Sequence, residues 1–409
     1  MKIAVVISAE VGMRTSGTSL ALNNLRAVVI LLVLAVHSVL AYLDFLPSSP
    51  YRFDEPPYRW QATPIVDSQR WVGFDLFCAW QDVYLMSFMF FLSGLFVWPS
   101  LVRKGSWGFL RDRFLRIGLP LVLAVILLMP IALYPVYRLT AVDPSPAAYW
   151  QHWRELPFWP AGPQWFLCVL LAFNVIAAGL YKLAPQCGDL LGRLASSARA
   201  HPIHYFIVLT IASALVYVPL ALIFSPWSWT YFGPFNFQLS RPLHYLVYFF
   251  AGVGVGVYGL DRGLLALDGN LARRWGPWLV AAFISFLLWI SLTALNMNDG
   301  DRAPIGMQLA NDLAFVLACA SSCFFFVALF LRFGQHRSRW YDSLSENAYG
   351  IYLVHYLFVV WLQYALLNVT LFAFAKAAIV FGITLVMSWS VSAAIRGFPW
   401  GSRLIGAKR

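Results

Sequence analysis

Charge is scarce in this chain, and negative charge scarcest: 18 Asp and Glu stand against 29 Lys and Arg among 409 residues, and charged side chains make up 11% of the whole. A soluble protein needs far more polar groups to cover its surface. Hydrophobic residues reach 60%, with a mean hydropathy of +0.69. Long polar tracts, tandem repeats and low-complexity runs are also missing, so no separate soluble domain can be placed and an inverted-repeat transporter gains no support. The five cysteines are too few and odd in number for a disulfide framework. Cys78, Cys168, Cys319 and Cys323 fall within apolar blocks, Cys187 falls in a connecting loop, and none has metal-ligand spacing, so all five read as small apolar residues. No Walker or dinucleotide fingerprint occurs. The run "GVGVGVYG" at 252–259 lies inside an apolar block and reads as close helix packing.

What is present is a series of ten apolar blocks, at 25–43, 73–98, 117–137, 164–183, 203–224, 243–260, 277–297, 309–331, 348–367 and 371–395. Each is near the roughly 20 residues a helix needs to cross about 30 Å of hydrocarbon. The expected fold is therefore all-α, a polytopic membrane protein of about ten transmembrane helices. Residues 1–19 read as a flexible N-terminal segment, with Met13 an alternative start, 20–395 as one transmembrane domain and 396–409 as a basic tail. The stretch at 3–9 is too short for a signal peptide. The net charge of +11 raises the question of nucleic acid, and topology answers it: with the N-terminus inside, inner segments hold 21 of the Lys and Arg and outer loops hold 7. That bias predicts both termini in the cytoplasm and makes the basic segments an orientation signal.

Ionisable residues inside the blocks are the candidate site. Arg26 and His37 lie eleven residues apart, three helical turns plus 20°, so they share one stripe with a rise of about 16 Å between them. Arg26 would sit at the cytoplasmic interface and His37 half way across. A ligand anchored by an anion on Arg26 could run up that stripe to the imidazole, which, kept neutral by burial, can act as a general base. The plainer alternative is that Arg26 snorkels to lipid phosphates and His37 bonds a neighbouring helix. In the second block Asp75 lies near the outer end and Asp82 about 15 Å deep, where an unpaired carboxylate is costly. His37, at similar depth on the preceding helix, is its expected partner.

The inner segment "RKGSWGFLRDRFLRIGLP" carries Arg103, Lys104, Arg111, Arg113 and Arg116; with Arg26 it outlines either plain positive-inside bias or a dock for a polyphosphorylated cytosolic molecule. In "ENAYGIYLVH", Tyr349, Tyr352 and His355 recur at spacing three and share a face, as a second part of a polar site or as structural hydrogen-bonding groups. Outer-side aromatics, including Trp60, Trp71, Trp150, Trp153, Trp159, Trp165, Trp227, Trp229 and Tyr231, read first as interfacial anchors and second as a carbohydrate platform. Asp75, Trp165 and Arg241 are the candidates for holding a substrate from that side.

Four stretches together resemble the acyltransferase 3 family of integral membrane O-acyltransferases, and within it the glucan succinyltransferase-like branch known as glucan biosynthesis protein C. They are "LRAVVILLVLAVH" with Arg26 and His37, the Phe-rich "FMFFLSGLF", "RDRFLRIGLP" with Arg113 and Arg116, and "ENAYGIYLVH". The resemblance covers roughly residues 20–395. It implies transfer of an acyl group from cytosolic acyl-coenzyme A, a consumed donor rather than a resident cofactor, to a hydroxyl of a carbohydrate at the outer face of a bacterial inner membrane. No metal and no nucleic acid is implied; the partners are the donor, the acceptor sugar and membrane lipids. Arg26, Arg113 and Arg116, with Tyr349 and Tyr352, would hold the coenzyme, and His37 would take the proton of the attacking hydroxyl, with Asp82 and His355 beside it. Direct transfer and an acyl-His relay both fit. The second helix departs from the succinyltransferase pattern in lacking a cation near His37, so acetyl and succinyl both stand, with Arg241 or Arg302 as the possible holder of a succinyl carboxylate. A proton-coupled transporter or lipid-linked sugar flippase built on the same His and Asp residues is the competing reading.

Overall fold

The computed structural model describes residues 17–299, 303–399 and 401. Met13 and Arg302 lie outside the described residues, as does most of the tail at 396–409. The first helix, α1 (Gly17–Val39), already includes residues assigned from sequence to the flexible segment, because the apolar run continues back through Leu22 and Leu20. It is followed by α2 (Val72–Gly94), α3 (Val97–Arg138), the short α4 (Pro146–Glu155), α5 (Trp165–Leu183), the short α6 (Gln186–Ser196), which contains Cys187 and replaces the expected loop there, and α7 (Pro202–Phe224). A hairpin of β1 (Trp229–Phe232) and β2 (Phe235–Gln238) precedes α8 (Pro242–Tyr258), α9 (Trp275–Asp299), α10 (Ile305–Phe333), α11 (Arg339–Ala365) and α12 (Ala373–Gly397). Among the described residues nine helices are long and apolar enough to span a membrane, and α8 with the turns Gly263–Arg273, bent by 82°, makes a tenth. The chain is a polytopic membrane protein, with one end of the bundle basic and the other covered by loop 43–71 and the hairpin.

The basic segment between the second and third apolar blocks is helical. It belongs to α3, which kinks at Gly105 (φ +67°, a conformation suited to glycine) and passes through π turns at Phe114–Gly118 and Ala124–Leu128. Helix α9 shows the inverted polarity of a membrane element: Val280, Phe283, Ile284, Leu287 and Leu288 are exposed along one stripe, while Ser285, Trp289 and Thr293 are buried against α10.

Small residues set the tightest contact. A Cβ added at Gly252 would lie 2.0 Å from the Phe91 carbonyl oxygen, one at Gly256 2.0 Å from that of Leu95, and one at Gly94 2.1 Å from that of Phe249. The glycines of the "GVGVGVYG" run therefore bring the α8 backbone against α2, as does Gly94 from the other side. At the opposite end, loop 43–71 is folded down onto the bundle. Asp67 and Lys376 form a fully buried ion pair at 2.7 Å, the Asp67 and Trp71 amides donate to the carbonyls of Ala41 and Tyr42, and Phe53 stacks on Trp60 with ring centres 4.8 Å apart. The lid over that end of the bundle is thus part of its core.

Gly252→Val should lower stability by about 1–3 kcal/mol, the usual cost of overpacking, because backbone on both sides must move. Gly276→Ala, where the new methyl meets nothing within 4 Å, should leave stability unchanged or slightly raised. Thermal unfolding in detergent compares the two; equal midpoints would contradict the close approach of α2 and α8.

Candidate active site

The two buried histidines come together. His37 on α1 and His355 on α11 have ring centres 5.0 Å apart, and Nε2 of His355 lies 3.4 Å from Nδ1 of His37. Carbonyl partners fix the protons. Nδ1–H of His355 donates to the Tyr352 carbonyl at 2.7 Å, so its Nε2 is left as an acceptor. Nδ1–H of His37 donates to the Val33 carbonyl at 2.8 Å and is shared with His355, so the lone pair of His37 resides on Nε2. His355 is wholly buried, whereas His37 is half-buried and lines a cavity of about 1530 Å³. The Gln363 side chain, about two turns beyond His355 on α11, donates to the His37 carbonyl at 2.9 Å and ties α1 to α11.

The expected Asp82–His37 pair does not form. Asp82 lines the same cavity, but its carboxylate takes both arms of Arg241, at 2.7 and 2.6 Å, from the start of α8. A guanidinium fork satisfies both carboxylate oxygens at once, which a single imidazole N–H cannot, and Arg241 is itself buried, with its guanidinium over the Phe315 ring at 5.0 Å. Arg241 is thereby committed to Asp82 rather than presented to a substrate. Asp75 accepts from the Asp44 amide at 2.9 Å and keeps its other oxygen buried without a partner on the cavity wall. Trp165, the first residue of α5, lines the cavity and lies over Tyr245. Tyr352 lines it too, with its hydroxyl donating to the Pro163 carbonyl.

The basic cluster lies outside the cavity. Arg26 packs its guanidinium over Phe96 at 4.9 Å and Arg113 over Phe109 at 5.0 Å, and the charges of Arg26 and Arg116 both act on Arg113. None of the three makes a salt bridge among the described residues. The cavity descends along α1 and α2 to Val33 and Met89, about 10 Å of helix short of Arg26. Tyr349 sits in that interval, six residues inward of His355, with its hydroxyl buried and without a hydrogen-bond partner.

Several polar groups had no role in the sequence analysis. Asp312 on α10 is 2% exposed, lines the cavity and has no ion-pair or hydrogen-bond partner among the described residues; an acid three residues into the eighth apolar block was the available signal. Gln81, beside Asp82, presents a buried and unpartnered Nε2. Cys319, read as a small apolar residue, lies 3.5 Å from Nε2 of His244, whose Nδ1 is 2.5 Å from the Ser213 hydroxyl. All three are buried and none lines the cavity, so they form a polar clasp between α7, α8 and α10. Of the outer aromatics, Trp227, Trp229 and Tyr231 line the cavity with Trp165, Trp60 is core, and Trp71 packs on Phe74. Among the described residues no three His, Cys, Asp or Glu side chains are grouped to hold a metal.

At neutral pH, ring-nitrogen NMR of histidine-labelled protein should show His37 and His355 protonated at Nδ1 and bare at Nε2. A His37 signal protonated at Nε2 would remove it as a base facing the cavity.

His37 thus stands on the wall of a large cavity, bonded through Nδ1 to the Val33 carbonyl and beside His355, on the same helix as Arg26, which has no salt bridge among the described residues. No curated protein and no solved structure matches the chain. A family model described as an acyltransferase domain matches residues 19–393, nearly the whole of it. The chain therefore belongs to the acyltransferase 3 family, as a membrane acyltransferase.

Proposed function

We propose that this protein transfers a short, uncharged acyl group, acetyl foremost, from acyl-coenzyme A on the cytoplasmic side of a bacterial inner membrane to a hydroxyl of a cell-envelope or exported carbohydrate on the outer side. The observation that carries the reading is His37, tied through Nδ1 to the Val33 carbonyl, on the wall of a cavity that is also lined by Trp165, Trp227, Trp229 and Tyr231. Aromatic faces and amide edges suit a sugar.

In this reading the acceptor hydroxyl gives its proton to Nε2 of His37 as its oxygen attacks the thioester carbon. The carbon–sulfur bond then breaks, and the coenzyme leaves as a thiolate that takes the proton back from the imidazolium. His355 is a positioning residue, since it touches His37 and not the cavity. Arg26, Arg113 and Arg116 hold the coenzyme's phosphates; three guanidiniums with no salt bridge among the described residues, and only Asp112 as a nearby carboxylate, support that role, and the Tyr349 hydroxyl, buried without a partner among the described residues, lies between them and His37 along α11.

The preference for an uncharged acyl group follows from the cations. A succinyl carboxylate beside His37 would be desolvated and would need one. Among the described residues Arg59 is the cation on the cavity wall, Arg241 being paired with Asp82, while Asp75 lies on the same wall without a salt-bridge partner.

Turnover in detergent or proteoliposomes with acetyl- and succinyl-coenzyme A tests the scheme. His37→Ala should lose about 10²–10⁴-fold in kcat, the contribution of general-base catalysis. Arg113→Ala with Arg116→Ala should raise the donor KM with little change in kcat. Acetyl should be preferred. Activity near wild type in His37→Ala, with either donor, would remove this chemistry.

A further inference from the structure

The turn Gly162–Gln164, directly ahead of α5, meets α11 through each of its three residues, and all three contacts fall on the stretch of α11 that holds His355. Gln164 is fully buried, and its Nε2 donates to the Leu353 carbonyl at 3.0 Å. The Pro163 carbonyl accepts from the Tyr352 hydroxyl. Gly162, at φ +52°, lies so close to Tyr356 that an added Cβ would stand 3.1 Å from Cε1 of the ring and 2.8 Å from Sδ of Met129 on α3. Residues 352, 353 and 356 bracket His355 within about one turn of helix. Tyr356 in turn meets His37 edge-on, with ring centres 5.5 Å apart, so two rings of α11 bound His37, His355 at 5.0 Å and Tyr356 beside it. The Gln164 amide leaves its Oε1 buried without a partner among the described residues. An unmet acceptor offsets the bond that is made, so this amide contributes little net stability, and an apolar side chain would fill the same space without that cost. What the amide supplies is a fixed register between the turn and α11.

We infer that Gln164 is a positioning residue for His37, acting through α11. This rests on the reading of His37 as the base in acyl transfer. The bonds from Gln164 to Leu353 and from Tyr352 to Pro163 fix the rotation of α11 at the level of His355, while Gln363, two turns further along the same helix, holds it to α1. With α11 fixed at both places, the rings of His355 and Tyr356 keep His37 in one orientation. A rotation of α11 by about 10° would carry a side chain that lies about 5–6 Å from the helix axis through about 1 Å. A misplacement of about 1 Å at a reacting group can cost about 10²-fold in rate. Gln164 does not line the cavity, although Gly162, Pro163 and Trp165 around it do, so its effect on the reaction passes through α11 and not through a contact with substrate.

The test is Gln164→Met in the full-length protein in detergent, which replaces the amide by an apolar side chain of similar length. Asn174→Leu is the matched control, because Asn174 is an equally buried amide on α5 that donates within its own helix, to the Leu170 carbonyl at 2.6 Å. In Gln164→Met, kcat should fall about 10–100-fold while the KM for acetyl-coenzyme A stays within twofold of wild type and the thermal midpoint is kept. The ring-nitrogen NMR signals of His37 and His355 should move together. Asn174→Leu should match wild type in kcat and in both signals. Tyr352→Phe, which loses the bond to Pro163, should move the same two signals to a lesser extent, and signals unmoved in both α11-facing variants would overturn the clamp. A loss of kcat in Gln164→Met with the histidine signals unmoved, or a loss shared equally by Asn174→Leu, would overturn the positioning role. An inactive His37→Ala beside a fully active Gln164→Met would overturn that role alone, whereas an active His37→Ala would overturn the base reading and the role with it.

Discussion

Asp82, half way along α2 on the wall of the cavity, is paired with the buried guanidinium of Arg241. The fork between them joins the middle of α2 to the start of α8 and, through the face of Phe315, to α10. It acts at one level of the α2–α8 contact, and the glycines at 94, 252 and 256 act further along it, where the two backbones nearly touch. Removing either charge would leave the other uncompensated, which costs far more than the pair itself contributes. The cavity wall is built on this bond. So is its electrostatic character, because the one buried arginine nearby is already neutralised.

With Asp82 committed, His37 takes a neutral neighbour. In hydrolytic triads a carboxylate orients the histidine and also stabilises its protonated form. Here His355 orients the ring through Nε2 and brings no charge. The imidazolium formed when His37 accepts a proton is correspondingly less favoured, so the proton is passed on rather than retained. On the proposed function, that would suit a base that meets its leaving group in the same site, since a departing thiolate would be the stronger sink. It also explains why the two rings lie together without a carboxylate between them: each Nδ1 proton is taken by a backbone carbonyl of its own helix.

Features that depend on one helix at a time were legible in the sequence. The ten apolar spans, the shared stripe of Arg26 and His37, and the close packing of the glycine run follow from periodicity and length, and the structure has them. The family, too, was carried by local motifs. What was not legible is azimuth, the direction in which a helix turns each face toward its neighbours. Depth alone suggested Asp82 beside His37, because the two lie at similar levels on consecutive helices; α2 instead turns Asp82 toward α8, an element 160 residues later in the chain. The same ignorance hid the partner of Cys319 and the placement of Asp312. The arginine segment lies on helix α3, which extends out of the apolar block and bends at Gly105.

The gap between the arginines and the cavity bears on how a donor enters. Arg26 lies two turns below Val33, where the cavity ends, and the intervening section of α1 is packed. A coenzyme held by the arginine cluster reaches His37 only if that section opens along the α1–α2 seam. The residues at the cavity floor, Met86 and Met89, are unbranched and re-pack at low cost, while the Tyr349 hydroxyl waits there without a partner. A closed seam keeps the two sides of the bundle sealed from each other when no donor is present. On the proposed function, an acyl arm that fills the seam as it opens would preserve the seal and bring the thioester to His37.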